Sequence, residues 1–311
     1  MTLEFLVNWL ASMPVAAAPL LLAALGLIIS ERAGVLNLSA EGLMLAGALA
    51  AAAFYQELGS NPWLGMLGAF LAGAALSVLF AVLVVVMRAN QVVSGLAIVF
   101  FAIGLTSLLG TLGGWTDTAL AGFSKLHVPV LSDIPVVGPV LFRQDPWVYL
   151  TVVLLVAVTW VLFRTNLGLK LRSVGHNPHA VDSMGIDVLG IRFAAVVVGG
   201  GIVGLAGGYL VLASAKIWVD EMTNGRGWIA IALVIFAGWH PWRALLGALI
   251  FGGIEALIPR VLASGAVLPQ YYVLMTPYIA TLVVLVWAAV NKRDLGAPRA
   301  LGMPFVREDR R

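Results

Sequence analysis

The sequence predicts an all-α integral membrane protein: a polytopic bundle of about 8–10 transmembrane helices, some broken or half-length, with a cytoplasmic C-terminus. Three observations lead there. The chain has 311 residues, 61% hydrophobic and only 11% charged, and a mean hydropathy of +1.01. Soluble domains carry about 25% charged residues, so a surface this poor in charge faces lipid. The apolar residues fall in runs long enough to cross a bilayer as helices, and Lys and Arg sit in the short segments between the runs.

Taken in order, candidate spans lie near 14–30, 37–56, 63–87, 91–113, 147–163, 193–213, 228–239, 244–262 and 271–290. Segment 3–12 is amphipathic and either lies in the interface or lengthens the first span. Segment 228–239 is too short for a straight crossing and reads as a half-helix, or as one joined to the next span through a turn at Pro241. Placing loop 164–192 in the cytoplasm puts 13 of the 18 basic residues inside, including Arg32, Arg88, Arg172, Lys292, Arg293, Arg310 and Arg311. Lys125, Arg143, Lys216, Arg226 and Arg260 are left outside, as the positive-inside rule prefers. Nine spans would put the N-terminus outside. The organisation expected is one transmembrane domain over 1–292 followed by a basic cytoplasmic tail, 293–311. Its inner loop is 164–192 and its long outer loops are 114–146 and 214–227.

The start, Met1-Thr2-Leu3-Glu4, has no basic n-region, so no cleavable signal is expected. There is no cysteine, hence no disulfide. No phosphate-loop, His-Glu-x-x-His or Gly-x-Ser-x-Gly motif occurs, and His176 with His179 lacks a third ligand, so neither ATP hydrolysis nor a metal site is expected in this chain. The net charge of +3 reports membrane orientation rather than nucleic-acid binding. Inside the spans the clearest ionisable residues are Glu41 and Glu255, with Arg260 near an end. A charge at the bilayer centre costs about 2.5–3.5 kcal/mol, so such a group faces a cavity, a partner or a span end. Two are too few to favour ion coupling. An energy source outside the chain follows as the expectation.

Four stretches carry functional readings. In the inner loop, Asn177 suits an N-cap, Pro178 the first helical position, and Gly185 the left-handed residue past the last turn, which encodes a two-turn helix over 178–184. Such a stiff helix is either an ordinary loop helix or a lever for a cytoplasmic partner. In the second stretch, Asn37 and Ser39 are possible caps for the next span, and Glu41 lies in its first turn, where a helix N-terminus favours a carboxylate. It is read either as part of a solute path or as a capping element at headgroup level. Gly200, Gly204 and Gly208 recur every four residues and share a helix face, read either as a site of close backbone approach or as a weakened stretch that bends during gating. The outer loop 214–227 mixes Lys216, Trp218, Asp220, Glu221 and Arg226, a composition suited to a transient polar contact. Trp63, Trp115, Trp147, Trp218, Trp228, Trp239 and Trp242 fall near predicted span ends, as interfacial belts do.

Several of these stretches together resemble a known family. Residues 33–42 (Ala-Gly-Val-Leu-Asn-Leu-Ser-Ala-Glu-Gly), 89–95 (Ala-Asn-Gln-Val-Val-Ser-Gly), 175–180 (Gly-His-Asn-Pro-His-Ala) with Gly185-Ile186, and 225–230 (Gly-Arg-Gly-Trp-Ile-Ala) are similar to ABC importer permeases of the branched-chain amino acid, ribose and nucleoside class. The similarity runs from about residue 32 to about 255, and is closest to the nucleoside-type branch, often called simple-sugar permeases. The resemblance implies a multi-pass permease of the bacterial inner membrane, passing a small polar solute, a nucleoside or purine before a ribose-type sugar. It also implies a second homologous permease as heterodimer partner, a cytoplasmic ATPase that binds the ATP and magnesium, and an extracytoplasmic binding protein. Carried onto this chain, residues 177–185 are the coupling helix, with Arg172, Gly175, His176, Asn177, Pro178, His179, Ala180, Asp182 and Gly185 at the ATPase contact. His176 departs from the family's pattern, where Glu or another polar residue is usual, which leaves the contact made there open. Asn37, Ser39, Glu41, Asn90, Gln91 and Ser94 are expected along the solute path, and Trp218, Asp220, Glu221 and Arg226 at the binding-protein contact. An autonomous carrier or channel, and behind it a membrane enzyme, are the competing readings.

Overall fold

A computed structural model describes residues 3–127, 129, 131–263, 275, 279, 282, 283, 286 and 296–307. Ten α-helices are seen among these residues: α1 Leu3–Arg32, α2 Ala40–Glu57, α3 Pro62–Ala81, α4 Gln91–Leu112, α5 Pro146–Arg164, α6 Asn166–His176, α7 Pro178–Ser183, α8 Val188–Tyr209, α9 Arg226–Phe236 and α10 Pro241–Ala263. Short π-helical stretches extend α3 over Val82–Val86 and α8 over Leu210–Ala215. The sequence starts these helices with one recurring device. Asn61 before α3 and Asp145 before α5 accept backbone N–H bonds, and a proline occupies the first helical position, where no donor is needed.

Among the described residues six helices are long and apolar enough to cross a membrane: Glu4–Arg32, Pro62–Val86, Gln91–Leu112, Pro146–Arg164, Val188–Ala215 and Pro241–Arg260. Segment 3–12 is continuous with the first span, so α1 is one helix despite Pro14 and Pro19. Segment 228–239 is a half-helix: α9 has 11 residues, about 16 Å at 1.5 Å per residue, and a turn at 237–240 joins it to α10. The predicted span 271–290 lies outside the described residues, apart from the five named above.

Helix α2 is the centre of the bundle. It packs against α3, α4, α8 and α9, and its buried positions lie all around its axis. Helix α8 lies beside it and is enclosed by α1, α2 and α3. The glycines of α8 make that possible. A Cβ on Gly204 would meet the Ala69 carbonyl and Gly73 of α3, one on Gly207 would meet the Met44 carbonyl of α2, and one on Gly199 the Gly26 carbonyl of α1. The repeat at 200, 204 and 208 is therefore a close-packing face toward α3.

The basic residues sort to two ends. Arg32 and Arg172 lie over the same ring, Phe163, near α7, and Arg88 shares a surface pocket there with Asp182 and Asp187. At the other end of the 28-residue α8 span, Lys125, Lys216, Arg226 and Arg260 line a cavity of about 740 Å³. Lys292, Arg293, Arg310 and Arg311 lie outside the described residues. Loop 114–146 packs at the far end on the segment that runs from the end of α8 into 214–227. Asp117 N–H donates to the Trp218 carbonyl (3.0 Å), Leu120 N–H to Lys216 (2.9 Å), and Phe123 N–H to Leu212 (2.8 Å).

Candidate functional site

The Glu41 carboxylate is buried in the bundle, only 6% exposed. Its Oε1 accepts from the Thr223 hydroxyl (2.6 Å) and the Gly225 N–H (2.8 Å), and its Oε2 from the Gly227 N–H (2.6 Å). These donors surround the start of α9, whose own N-cap is Gly225, a left-handed residue that brings no side chain. Glu41 therefore caps α9 from α2. A carboxylate answers both needs of a helix N-terminus, unpaired N–H groups and a positive dipole end. Next to it Arg226 pairs with Glu255 of α10 and donates to the Met222 and Thr223 carbonyls (both 3.3 Å). Both acidic groups singled out within the spans are thus paired inside the bundle, which is how a buried charge is tolerated.

The expectation that Asn37 and Ser39 cap α2 through their side chains is corrected. Ser39 occupies the N-cap position but makes no cap bond. Its hydroxyl (2.5 Å) and its N–H (3.0 Å) both donate to Asn37 Oδ1, closing a local turn before α2. Asn90 caps α4 through Val92 and Val93 N–H (3.0 and 3.1 Å), and the Gln91 side chain accepts from Leu36 N–H (2.7 Å), pinning the same turn from α4. Ser94 is buried one turn on. The structure so brings Asn37, Ser39, Glu41, Gln91 and Ser94 onto the start of α2 and α4, where Asn37, Ser39, Glu41 and Gln91 each have a partner within the chain.

At the opposite surface, α7 takes the form read from its sequence. Asn177 Oδ1 accepts from Ala180 N–H (3.1 Å), Pro178 follows, and Gly185 takes φ +79° with its N–H on the Asp182 carbonyl (2.9 Å). Within the segment expected to be loop, helix α6 leads directly into it from a Thr165 cap. His176, His179, Gly185 and Met184 are exposed, while Pro178 and Val181 point inward. Gly175 is buried against the Arg32 carbonyl. Arg172 lies over Phe163 with the ring centroid 5.1 Å away, and its Nε donates to Gly168. Asp182 is ion-paired with Arg307.

In loop 214–227 Asp220 and Glu221 are exposed, but Trp218 is fully buried under α4, where the indole sits against Gly110. It is a core residue, which corrects its placement at a docking surface. Trp239 is also core rather than belt: its Nε1 donates to Glu31 Oε2 (2.5 Å) and its carbonyl accepts from Arg32 Nε (3.0 Å). This Glu31–Arg32–Trp239 knot fastens the end of α1 to the end of α9. Sequence reasoning passed over it because Glu31 and Arg32 stand at the end of an apolar run, as headgroup residues do. His240 next to it stacks on Phe163, and burial, with the nearby Arg243 and Arg32 charges behind it, holds the imidazole below its ordinary pKa.

Comparisons with known proteins accord with this arrangement. Residues 9–287 match the family described as branched-chain amino acid transport system / permease component. The chain is 39% identical to the guanosine ABC transporter permease protein of Bacillus subtilis, over 94% of this chain and 95% of that protein. It is 32% identical to the nucleoside ABC transporter permease protein of Lactococcus lactis, over 98% of each. It is also 39% identical to a Haloferax volcanii protein named "Putative glucose ABC transporter permease protein", over 94% of this chain and 95% of that one. A bundle with six helices among the described residues long and apolar enough to cross a membrane, and a match over nearly its whole length, place this chain in the branched-chain amino acid transport system / permease component family, as a multi-pass inner-membrane permease subunit of an ABC transporter.

Proposed function

We propose that this chain forms one side of the passage of an ATP-driven importer for a nucleoside or purine, and that α7 is the lever through which a partner ATPase drives it. ATP and magnesium belong to that partner, and this subunit moves solute without catalysing a reaction. A second homologous permease completes the passage as a heterodimer. The α7 end and the C-terminus face the cytoplasm, where the basic residues concentrate. Asp220 and Glu221 face the solute-binding protein. The observation that carries the coupling role is the geometry of α7: a six-residue helix capped at both ends, exposing His179, with His176 and Met184 exposed on either side of it. The nucleoside reading rests on the guanosine and nucleoside relatives. The Haloferax protein's name supports a simple sugar as the second reading.

Two variants test the lever. A side chain at Gly185 meets no atom within 4 Å, so Gly185→Val strains only the backbone, by about 1 kcal/mol or more. Asn177→Ala removes the cap at the other end, costing about 1 kcal/mol of a very short helix. Both proteins are expected at normal levels with solute uptake per ATP hydrolysed reduced several-fold. An unchanged ratio in both, by paired ATPase and uptake assays, would make α7 a plain connector.

A further inference from the structure

Residues 296–307 return across the α7 end of the bundle. Ala300 N–H donates to the Gly175 carbonyl at the end of α6 (3.0 Å), Gly302 N–H to Gly34 after α1 (3.3 Å), and Arg192 Nη1 of α8 to the Met303 carbonyl (3.0 Å). These bonds fix the path of the segment. Past them Phe305, 5% exposed, completes a small apolar cluster with Val174 of α6, Val181 of α7 and Val188 of α8. This cluster is separate from the main core of the bundle. The Phe305 ring centroid is 5.2 Å from that of His179, and Arg307 Nε donates to Asp182 Oδ2 (3.0 Å).

A six-residue helix does not hold itself together in water, because nucleation outweighs the few bonds it closes. Its caps fix its ends, but its tilt depends on what its inward face rests on. Within α7 that face is Pro178 and Val181, and Val181 rests on Phe305. The sequence alone suggests a basic tail trailing from the last span. The structure instead threads its apolar residue under the helix and its arginine onto the helix's one carboxylate.

We infer that the C-terminal segment is a brace for α7, with Phe305 and Arg307 as positioning residues that hold the helix at the angle at which a partner's motion reaches the spans. The inference rests on the lever reading of α7 given above. It adds that transmission depends on residues outside the loop itself, more than 100 positions along the chain.

The test uses the complete transporter in proteoliposomes, with solute uptake and ATP hydrolysis measured on the same preparation. Phe305→Ala empties the small cluster and leaves the main core untouched. Uptake per ATP is expected to fall by about threefold or more, the scale on which residues remote from both sites alter coupling. Phe305→Leu, which refills the space, should restore most of it. Uptake and hydrolysis falling in parallel, with their ratio unchanged, would mean a purely structural role and would overturn the brace. Should Phe305→Ala not assemble, Arg307→Glu gives the same reading from an exposed position: a lowered ratio supports the brace and an unchanged one overturns it. Asn177→Ala, run alongside, separates the two ideas. If it uncouples while the tail variants do not, the brace fails and the lever stands. If none of them changes the ratio, both fail.

Discussion

Glu41→Ala is expected to abolish uptake and to lower the thermal midpoint of the purified protein more than a substitution of any exposed residue. The Thr223 hydroxyl and the Gly225 and Gly227 N–H groups would lose their acceptor in a place water does not readily reach. Each unmet buried donor costs about 1–3 kcal/mol, and three of them would be left without this acceptor. That is a large part of a stability of about 5–15 kcal/mol. The consequence reaches beyond the carboxylate because α9 is a half-helix whose start is held by it. Glu41→Gln keeps the shape and one acceptor oxygen but turns its NH₂ toward a donor, so its loss should be intermediate. The order wild type, Gln, Ala in both thermal midpoint and uptake is the expected result. Wild-type uptake by the alanine variant would show that α9 is held by something else.

Gly204→Val is expected to prevent the bundle from forming. The new Cβ would meet the Ala69 carbonyl and lie 3.0 Å from the Gly73 Cα, both backbone atoms of α3, and Gly47 of α2 presses on Gly204 from another side. Overpacking a core usually costs about 1–3 kcal/mol through side chains that shift. Here backbone would have to move, and α2, α3 and α8 would separate together. Gly104 in α4 is the internal control, because nothing lies within 4 Å of its Cβ position. Size-exclusion profiles of detergent-solubilised protein should show Gly104→Ala eluting like the parent and Gly204→Val aggregated or absent. A monodisperse Gly204→Val peak at parental yield would contradict the close packing assigned to this face.

Much of this architecture was legible in the sequence where the signal is local. The caps and left-handed glycine of α7 follow from residues within eight positions of one another. The glycine repeat in α8 and the shortness of α9 are likewise read within one helix. What escaped is nonlocal. Glu41 and its partners are 182 to 186 positions apart, so the residues on each side looked like separate features, a first-turn acid and a glycine-rich turn. Trp218 and Trp239 stand at span ends, where indoles commonly anchor to headgroups, and only the packing of a folded loop and a half-helix buries them. The tail misled through composition: its arginines read as solvated, while Ala300, Leu301 and Phe305 are the apolar residues by which it docks. Helix α6 was missed because its mixed apolar and basic residues suit a loop at the membrane surface as well as a short amphipathic helix.

This chain is expected to pass a nucleoside or purine only as part of an ATP-driven assembly. The most direct measurement is uptake of radiolabelled guanosine into proteoliposomes holding this chain with its partner permease, ATPase and binding protein, with unlabelled guanosine or glucose as competitor. The expected result is ATP-dependent accumulation, displaced by guanosine and not by glucose, and none when this chain alone is given a proton or sodium gradient. Accumulation by the chain alone under an ion gradient would contradict the account, and displacement by glucose alone would move the substrate to the sugar reading.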